Sequence, residues 1–303
     1  MSAIGLGKII LLGEHAVVYG YPALAAALDR GVTIGAVPTP AGGSLRIDIP
    51  AWSLKVTATD DHPVARSLLA IVDELGLGRP AVSLVGDAQI PPGAGLGSSA
   101  ALAVAVARAL LAHAKRPVDP TQVAAAAAAS ETLMHGRASG VDVALAIAGG
   151  IGVFRKATGL RSFASAPLRV LVGPSGAPRT TSEMVERVSE ATSGSADDKR
   201  LRALGALTDT GTTALLAKDL LGLGAAMDRA HELLAGLGVS TPQLDSLCEA
   251  ARVSGAFGAK LTGAGGGGAV IAIAPRDKEQ AVLTEWKNAG VTGFVATVGG
   301  GAA

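Results

Sequence analysis

Three stretches of this chain carry residue types that could handle a phosphate and a proton. Gly93-Ala94-Gly95-Leu96-Gly97-Ser98-Ser99 stands between an apolar run and a long Ala/Leu/Val segment. Small residues at a helix N-terminus let an anion reach backbone N–H groups, and the helix dipole favours negative charge there. The same residues also read as a tight turn in which Ser98 and Ser99 cap the helix. No Gly-Lys-Ser/Thr ends the loop, so it is not a Walker A loop and any lysine on the phosphates must come from elsewhere. Glu131 and Asp142 are separated by a stretch containing Gly136 and Gly140. The chain can double back there and pair two carboxylates, a set suited to magnesium or to proton transfer. Ser139-Gly140-Val141-Asp142 equally has the spacing of a capping box, and Glu131 alone reads as a solvated helix residue. Lys8 lies inside Gly7-Lys8-Ile9-Ile10-Leu11-Leu12, where burial would demand an anion nearby unless the stem snorkels from an edge strand.

A second glycine-rich stretch, Gly263 to Gly268, matches G-x-G-x-x-G. The segment after it, Ala269 to Ala274, reads as a strand rather than a helix, which rejects a dinucleotide-binding fingerprint. What is left is either a side-chain-free loop whose backbone could approach a ligand or a plain connector. Glu14, His15, His62 and His135 have no metal-ligand spacing, and His113 and His231 read as helix-surface residues.

The elements that must position these residues follow from periodicity. Residues 7–12 form a short buried strand, and an Ala-rich stretch from Pro22 to Leu28 reads as a helix. Alternation between Thr33 and Thr59 predicts half-buried strands, Pro63 to Leu75 a helix, and Ala81 to Val85 a strand leading into the first glycine-rich loop. A helix then runs to about Lys115. Thr121 is the expected N-cap of a helix ending near His135, and Ser139 of another through Ala148, before Gly149-Gly150. Strands are expected at Gly152 to Arg155 and Leu168 to Gly173, then mostly helix from Ser182 to Leu237. The chain closes with a helix at Gln243 to Ser254, the loop Thr262 to Gly268, the strand Ala269 to Ala274, a helix Lys278 to Ala289 and a strand Gly293 to Val298. The length of 303 residues, about twice a usual domain, predicts two lobes, which we divide as 1–166 and 167–303.

Composition narrows the function classes. With 26 Lys and Arg against 25 Asp and Glu, the chain has no bulk field to hold a nucleic acid or an anionic bilayer. The single cysteine, Cys248, rules out an internal disulfide and a multi-thiolate zinc site, which fits a reducing cytoplasm. A mean hydropathy of +0.42 raises the question of a membrane span. The longest charge-free stretch, Ala88 to Ala107, is broken by Pro91, Pro92 and glycines and cannot span a bilayer. Gly5-Leu6-Gly7-Lys8 shows no signal-peptide pattern, so the protein is expected to be soluble.

Taken together, Gly7-Lys8-Ile-Ile-Leu-Leu-Gly-Glu14-His15-Ala-Val-Val-Tyr19-Gly20, Pro91-Pro-Gly-Ala-Gly-Leu-Gly-Ser-Ser-Ala100 and Lys260-Leu-Thr-Gly-Ala-Gly-Gly-Gly-Gly268 resemble the three motifs of the GHMP small-molecule kinases. The form of the first motif is most similar to the mevalonate kinases. The resemblance implies an α+β fold with a ribosomal-protein-S5-like N-terminal lobe and a ferredoxin-like C-terminal lobe, the active site lying in the cleft between them. It implies ATP and Mg²⁺ as cofactors and mevalonate as the small-molecule substrate, phosphorylated at its 5-hydroxyl. A homodimer is the candidate assembly. Residue by residue, Pro92, Gly93, Ala94, Gly95, Leu96, Gly97, Ser98 and Ser99 would wrap the ATP phosphates, and Ser99 with Glu131 would hold Mg²⁺. Asp142 would face the substrate hydroxyl as base and Lys8 would neutralise charge on the transferring group, both as catalytic residues. Glu14, His15, Ser139 and Thr262 would meet the substrate. The family's Asn-Pro before Ser-Gly-Asp is Arg137-Ala138 here, which removes proline stiffness and adds a cation near the substrate. The rival readings are a sister kinase for phosphomevalonate or another small alcohol, and a catalytically inactive ATP-binding regulator.

Overall fold

The computed structural model describes residues 2–39, 43–135, 140–177 and 181–299. The chain forms two compact units, and each is assembled from separated stretches: residues 1–7, 30–92 and 97–148 in the first, and 8–29, 93–96 and 149–303 in the second. The compact units therefore do not follow a single cut after Ala166.

In the first unit the opening residues of β1 (Ser2–Leu12) and the later part of β2 (Ala23–Pro38) join β3 (Arg46–Ile49), β4 (Leu54–Thr57) and β5 (Val82–Ala88). The order here is β4-β3-β5-β2; β3 runs parallel to β5, while β5 runs antiparallel to residues 32–38 of β2. The helices of this unit are α1 (Pro63–Glu74), α2 (Ser98–His113), α3 (Pro120–His135) and α4 (Val141–Ala148), with α1 and α2 both packed on α3. α2 is apolar all round and buried from Ala100 through Ala107, as expected of a central helix. Each fully buried Val or Leu on it contributes about 1.5–3 kcal/mol. Strand and helix approach closely at Gly5, where a Cβ would stand 2.0 Å from the Ala101 carbonyl oxygen. Only glycine fits there.

In the second unit residues 23–26 of β2 pair with β6 (Ile151–Arg155), and β6 pairs with β7 (Gly159–Ser162). A separate antiparallel sheet has the order β11-β8-β10-β9, formed by β8 (Leu168–Pro174), β9 (Gly258–Thr262), β10 (Ala269–Ile273) and β11 (Phe294–Val298). The helices of this unit are α5 (Thr181–Ala191), α6 (Lys199–Leu216), α7 (Leu220–Gly236), α8 (Pro242–Val253) and α9 (Glu279–Asn288). Both α7 and α8 pack on β9, and Trp286 of α9, fully buried, donates from Nε1 to the Leu247 carbonyl of α8 at 2.9 Å. Asp198 and Asp219 accept from backbone N–H groups at the starts of α6 and α7, a side-chain cap at each. No helix among the described residues is long and apolar enough to cross a membrane.

Several local expectations need correction. The stretch Ala23 to Leu28 is strand, not helix: Ala23 to Ala26 pair with Phe154 to Ile151, and every residue of the stretch is buried. A ladder partner and burial outweigh alanine's helix propensity of a few tenths of a kcal/mol, roughly, per residue. The α3 cap is Asp119 rather than Thr121, since the Asp119 carboxylate accepts from the Thr121 N–H at 2.8 Å and Pro120 takes the first helical position. β7 and β9 were not expected at all.

Candidate active site

In the loop between β5 and α2, Gly93, Gly95 and Gly97 take φ values of 71°, 76° and 72°, a left-handed backbone that glycine adopts at least cost. A Cβ at Gly93 would meet no atom within 4 Å. Gly97 is the N-cap of α2, and no side chain caps this end. The reading of Ser98 and Ser99 as caps is thereby set aside. The Ser99 hydroxyl donates instead to Oε1 of Glu131 on α3, and Glu131 is only 4% exposed, not solvated. A hydroxyl and a carboxylate side by side at an uncapped helix N-terminus are hard oxygen donors. Mg²⁺ is commonly held by one or two such groups while phosphate oxygens and waters complete its shell, so this pair fits the ion. Asp142 sits half-buried in the first turn of α4, where the dipole favours its charge. Ser139, with Arg137 and Ala138, lies outside the described residues.

In the second unit β1 carries Lys8, 4% exposed, so the buried reading holds over the snorkelling one. Its backbone N–H donates to the Leu96 carbonyl at 2.8 Å, tying the strand to residues 93–96 of the glycine-rich loop. Two residues on, Ile10 exchanges two bonds with the Thr262 hydroxyl: its N–H donates to Oγ1 at 2.9 Å, and Oγ1 donates to its carbonyl at 3.0 Å. Thr262 is fully buried. Past the end of β1, Glu14 is 1% exposed and accepts from Lys260 Nζ of β9, itself fully buried. Lys260 Nζ also donates to the Leu261 carbonyl. Burial drives the Glu14 carboxyl above its usual range and the Lys260 ammonium below its own, each outweighing the attraction of the partner. His15 then takes φ 59° and ψ −47°, with the Ala16 N–H bonded to the Glu14 carbonyl at 2.6 Å. This is a γ-turn of the rare positive-φ kind, strained for a residue with a Cβ. The His15 Nε2 lies 2.8 Å from the Ala264 carbonyl.

The loop containing Ala264 joins two antiparallel strands, β9 and β10, which agrees with the rejection of a dinucleotide fingerprint. Sequence reasoning missed two residues here. One is Lys260: a lysine inside an apolar strand carries the same signal that singles out Lys8. His231, expected on a helix surface, is 5% exposed. It continues the buried stripe Leu223-Met227-Ala230-Leu234 of α7, and that spacing was the available signal. Its Nδ1 accepts from the Leu261 N–H at 3.3 Å and its Nε2 faces Asp245 Oδ1 at 3.1 Å, which assigns the ring proton to Nε2. Burial holds this imidazole below its usual pKa, with Asp245 opposing. Burial also pushes the Cys248 thiol up to about 12, so it is no nucleophile.

Comparison with known proteins agrees with this arrangement. Residues 63–150 match the family described as GHMP kinases N terminal domain, and residues 212–292 match GHMP kinases C terminal. The chain is 36% identical over 310 residues to the mevalonate kinase of Thermococcus sibiricus, covering 93% of this chain and 91% of that one. It is 34% identical to the mevalonate kinase of Methanothermobacter thermautotrophicus, covering 94% and 95%. The crystal structure of L. major mevalonate kinase in complex with R-mevalonate superposes with a TM-score of 0.85 at 26% identity, covering 100% of this chain and 97% of that one. A full set of three glycine-bearing motifs and likeness in sequence and structure over nearly the whole chain lead to one conclusion: this chain belongs to the mevalonate kinase family of the GHMP kinases, which are ATP-dependent phosphotransferases.

Proposed function

We propose that this protein transfers the γ-phosphoryl group of ATP to the 5-hydroxyl of (R)-mevalonate, giving 5-phosphomevalonate and ADP. The observation that carries the reading is the Ser99–Glu131 pair at the uncapped N-terminus of α2, within a chain similar over its whole length to mevalonate kinases. The loop Pro92 to Ser99 binds the ATP phosphates through backbone N–H groups. Ser99 and Glu131 hold Mg²⁺, which when bound neutralises phosphate charge. Asp142 accepts the hydrogen bond of the 5-hydroxyl and then its proton, as that oxygen bonds to the γ-phosphorus and the bond to the bridging oxygen of ADP breaks. The Lys8 ammonium offsets the charge that builds on the transferring group. His15 and Ser139 meet the acceptor, and Glu14 and Thr262, both buried, support the acceptor site from behind. The single buried thiol fits work in a reducing cytoplasm.

The test is ADP release with Mg²⁺-ATP in the presence of mevalonate, 5-phosphomevalonate, galactose or homoserine in turn. Release with mevalonate alone, with the phosphate on the 5-oxygen, is the expected result. Preference for 5-phosphomevalonate would move the protein to a sister activity. Silence with every alcohol while ATP binds would leave an ATP-binding regulator.

A further inference from the structure

A cation and an anion stand sealed against each other in the second unit, and neither touches the transferred group in the mechanism above. Glu14 and Lys260 are 246 positions apart in sequence, exposed by 1% and 0%, and bonded through Oε1 and Nζ. The other carboxylate oxygen, Oε2, has no hydrogen-bond partner among the described residues. A buried pair left incompletely satisfied contributes little to stability, because desolvation cancels most of the attraction. What it does provide is place. Glu14 directly precedes His15, whose positive-φ γ-turn needs its surroundings to hold it, and Lys260 lies on β9, the strand that leads to Ala264. The His15 ring is bonded to that same Ala264 carbonyl. The turn is thus pinned on both sides of its strained residue, by the side chain before it and by its own ring, and both pins reach β9 or the loop that follows.

The geometry points to the Glu14–Lys260 pair as the device that holds His15 in its strained turn, which makes both of them positioning residues for the acceptor. This rests on the reading in which His15 meets the acceptor. Lys260→Met is the first test. The KM for mevalonate rises about tenfold or more, whereas the KM for ATP changes less than about threefold, and in a His15→Ala background the same substitution adds less than about twofold. An equal rise in both backgrounds would overturn the assignment. Should Lys260→Met fail to fold because it strands the Glu14 charge, Glu14→Leu/Lys260→Met removes both charges at once and is expected to fold and to show the same KM split.

A second readout needs no substrate. In ¹⁵N-histidine spectra of the unliganded protein, the His15 ring signals, assigned by their loss in His15→Asn, shift in the Lys260→Met or the double variant, while those of His62 in the first unit stay put. Unmoved His15 signals would sink the inference. A wild-type protein silent with mevalonate would fell the acceptor reading instead, and the spectra would still decide whether the pair holds His15.

Discussion

The two glycine-rich loops look alike in sequence and differ in what their glycines are for. At Gly93 a side chain would enter open space, and the loop runs into a helix end that no side chain caps. At Gly265 a Cβ would stand 2.1 Å from the Val239 carbonyl oxygen, and at Gly266 it would stand 2.6 Å from the Met184 sulfur. At Gly93 the first loop leaves its backbone exposed, as a site for an anion requires, while Ala94 to Leu96 behind it are buried. The second is packed from behind by its own unit, so its glycines secure a close fit and hold the carbonyl that His15 meets. Glycine richness alone therefore says little about ligand binding; what fills the space around each Cα decides it.

Changes in the first loop and in the phosphate-handling residues of its unit should cost turnover, and changes in the second loop should cost stability. Asp142→Asn has the largest expected effect, a fall in kcat of roughly a thousandfold, equal to about 4 kcal/mol of barrier, with the melting temperature unchanged. Steady-state kinetics beside a thermal melt reads both. Gly265→Ala adds a backbone clash to a residue at φ 79° and should lower stability by about 3 kcal/mol in a denaturant titration. An alanine tolerated there would end the contrast.

Asp198, the cap of α6, is a control belonging to neither loop. Hydrogen bonds from Arg200 hold its carboxyl down at about 2, from an ordinary 3.8. The folded state thus gains stability from this group above about pH 4, at most about 2 kcal/mol, and loses it as pH falls from 4 towards 2. Melting curves across that range should show this limb weakened in Asp198→Asn, with the acceptor KM at neutral pH unmoved. Ser99→Ala should raise the Mg²⁺ concentration for half-maximal rate about tenfold, or about 1.4 kcal/mol. The smallest effect is expected at Gly93→Ala, where a positive φ with no clash is read as a rise in the KM for ATP of about threefold, under about 1 kcal/mol. A collapse of folding there would erase the distinction between the loops.

Much of this was legible in the sequence where the signal is local. The turn glycines, the strand before the loop and the apolar helix after it are set by neighbours in the chain, and they were read to within a few residues. Ala23 to Leu28 differs because its strand state comes from pairing, with β1 on one side and with β6, more than a hundred residues away, on the other, whereas alanine's own preference points to helix. β9 was missed since Gly258-Ala-Lys-Leu-Thr262 is short and carries a charge that only Glu14 explains. His231 failed for a related reason: its partners, Leu261 and Asp245, come from other elements. The candidate site was legible as residue types, and the bonds that hold those residues were not.

The division of the chain also sets an order of events during synthesis. All stretches of the first unit have left the ribosome once Ala148 emerges, whereas residues 8–29, made among the earliest, belong with 93–96 and with residues from 149 onward. Ile9 to Leu12 and Ala23 to Leu28 lie on β1 and β2, which pair with each other, but the burial they have in the finished protein is completed only by residues from 149 onward. Apolar strand pairs that lack their cover for that long are surfaces that aggregate or that chaperones bind.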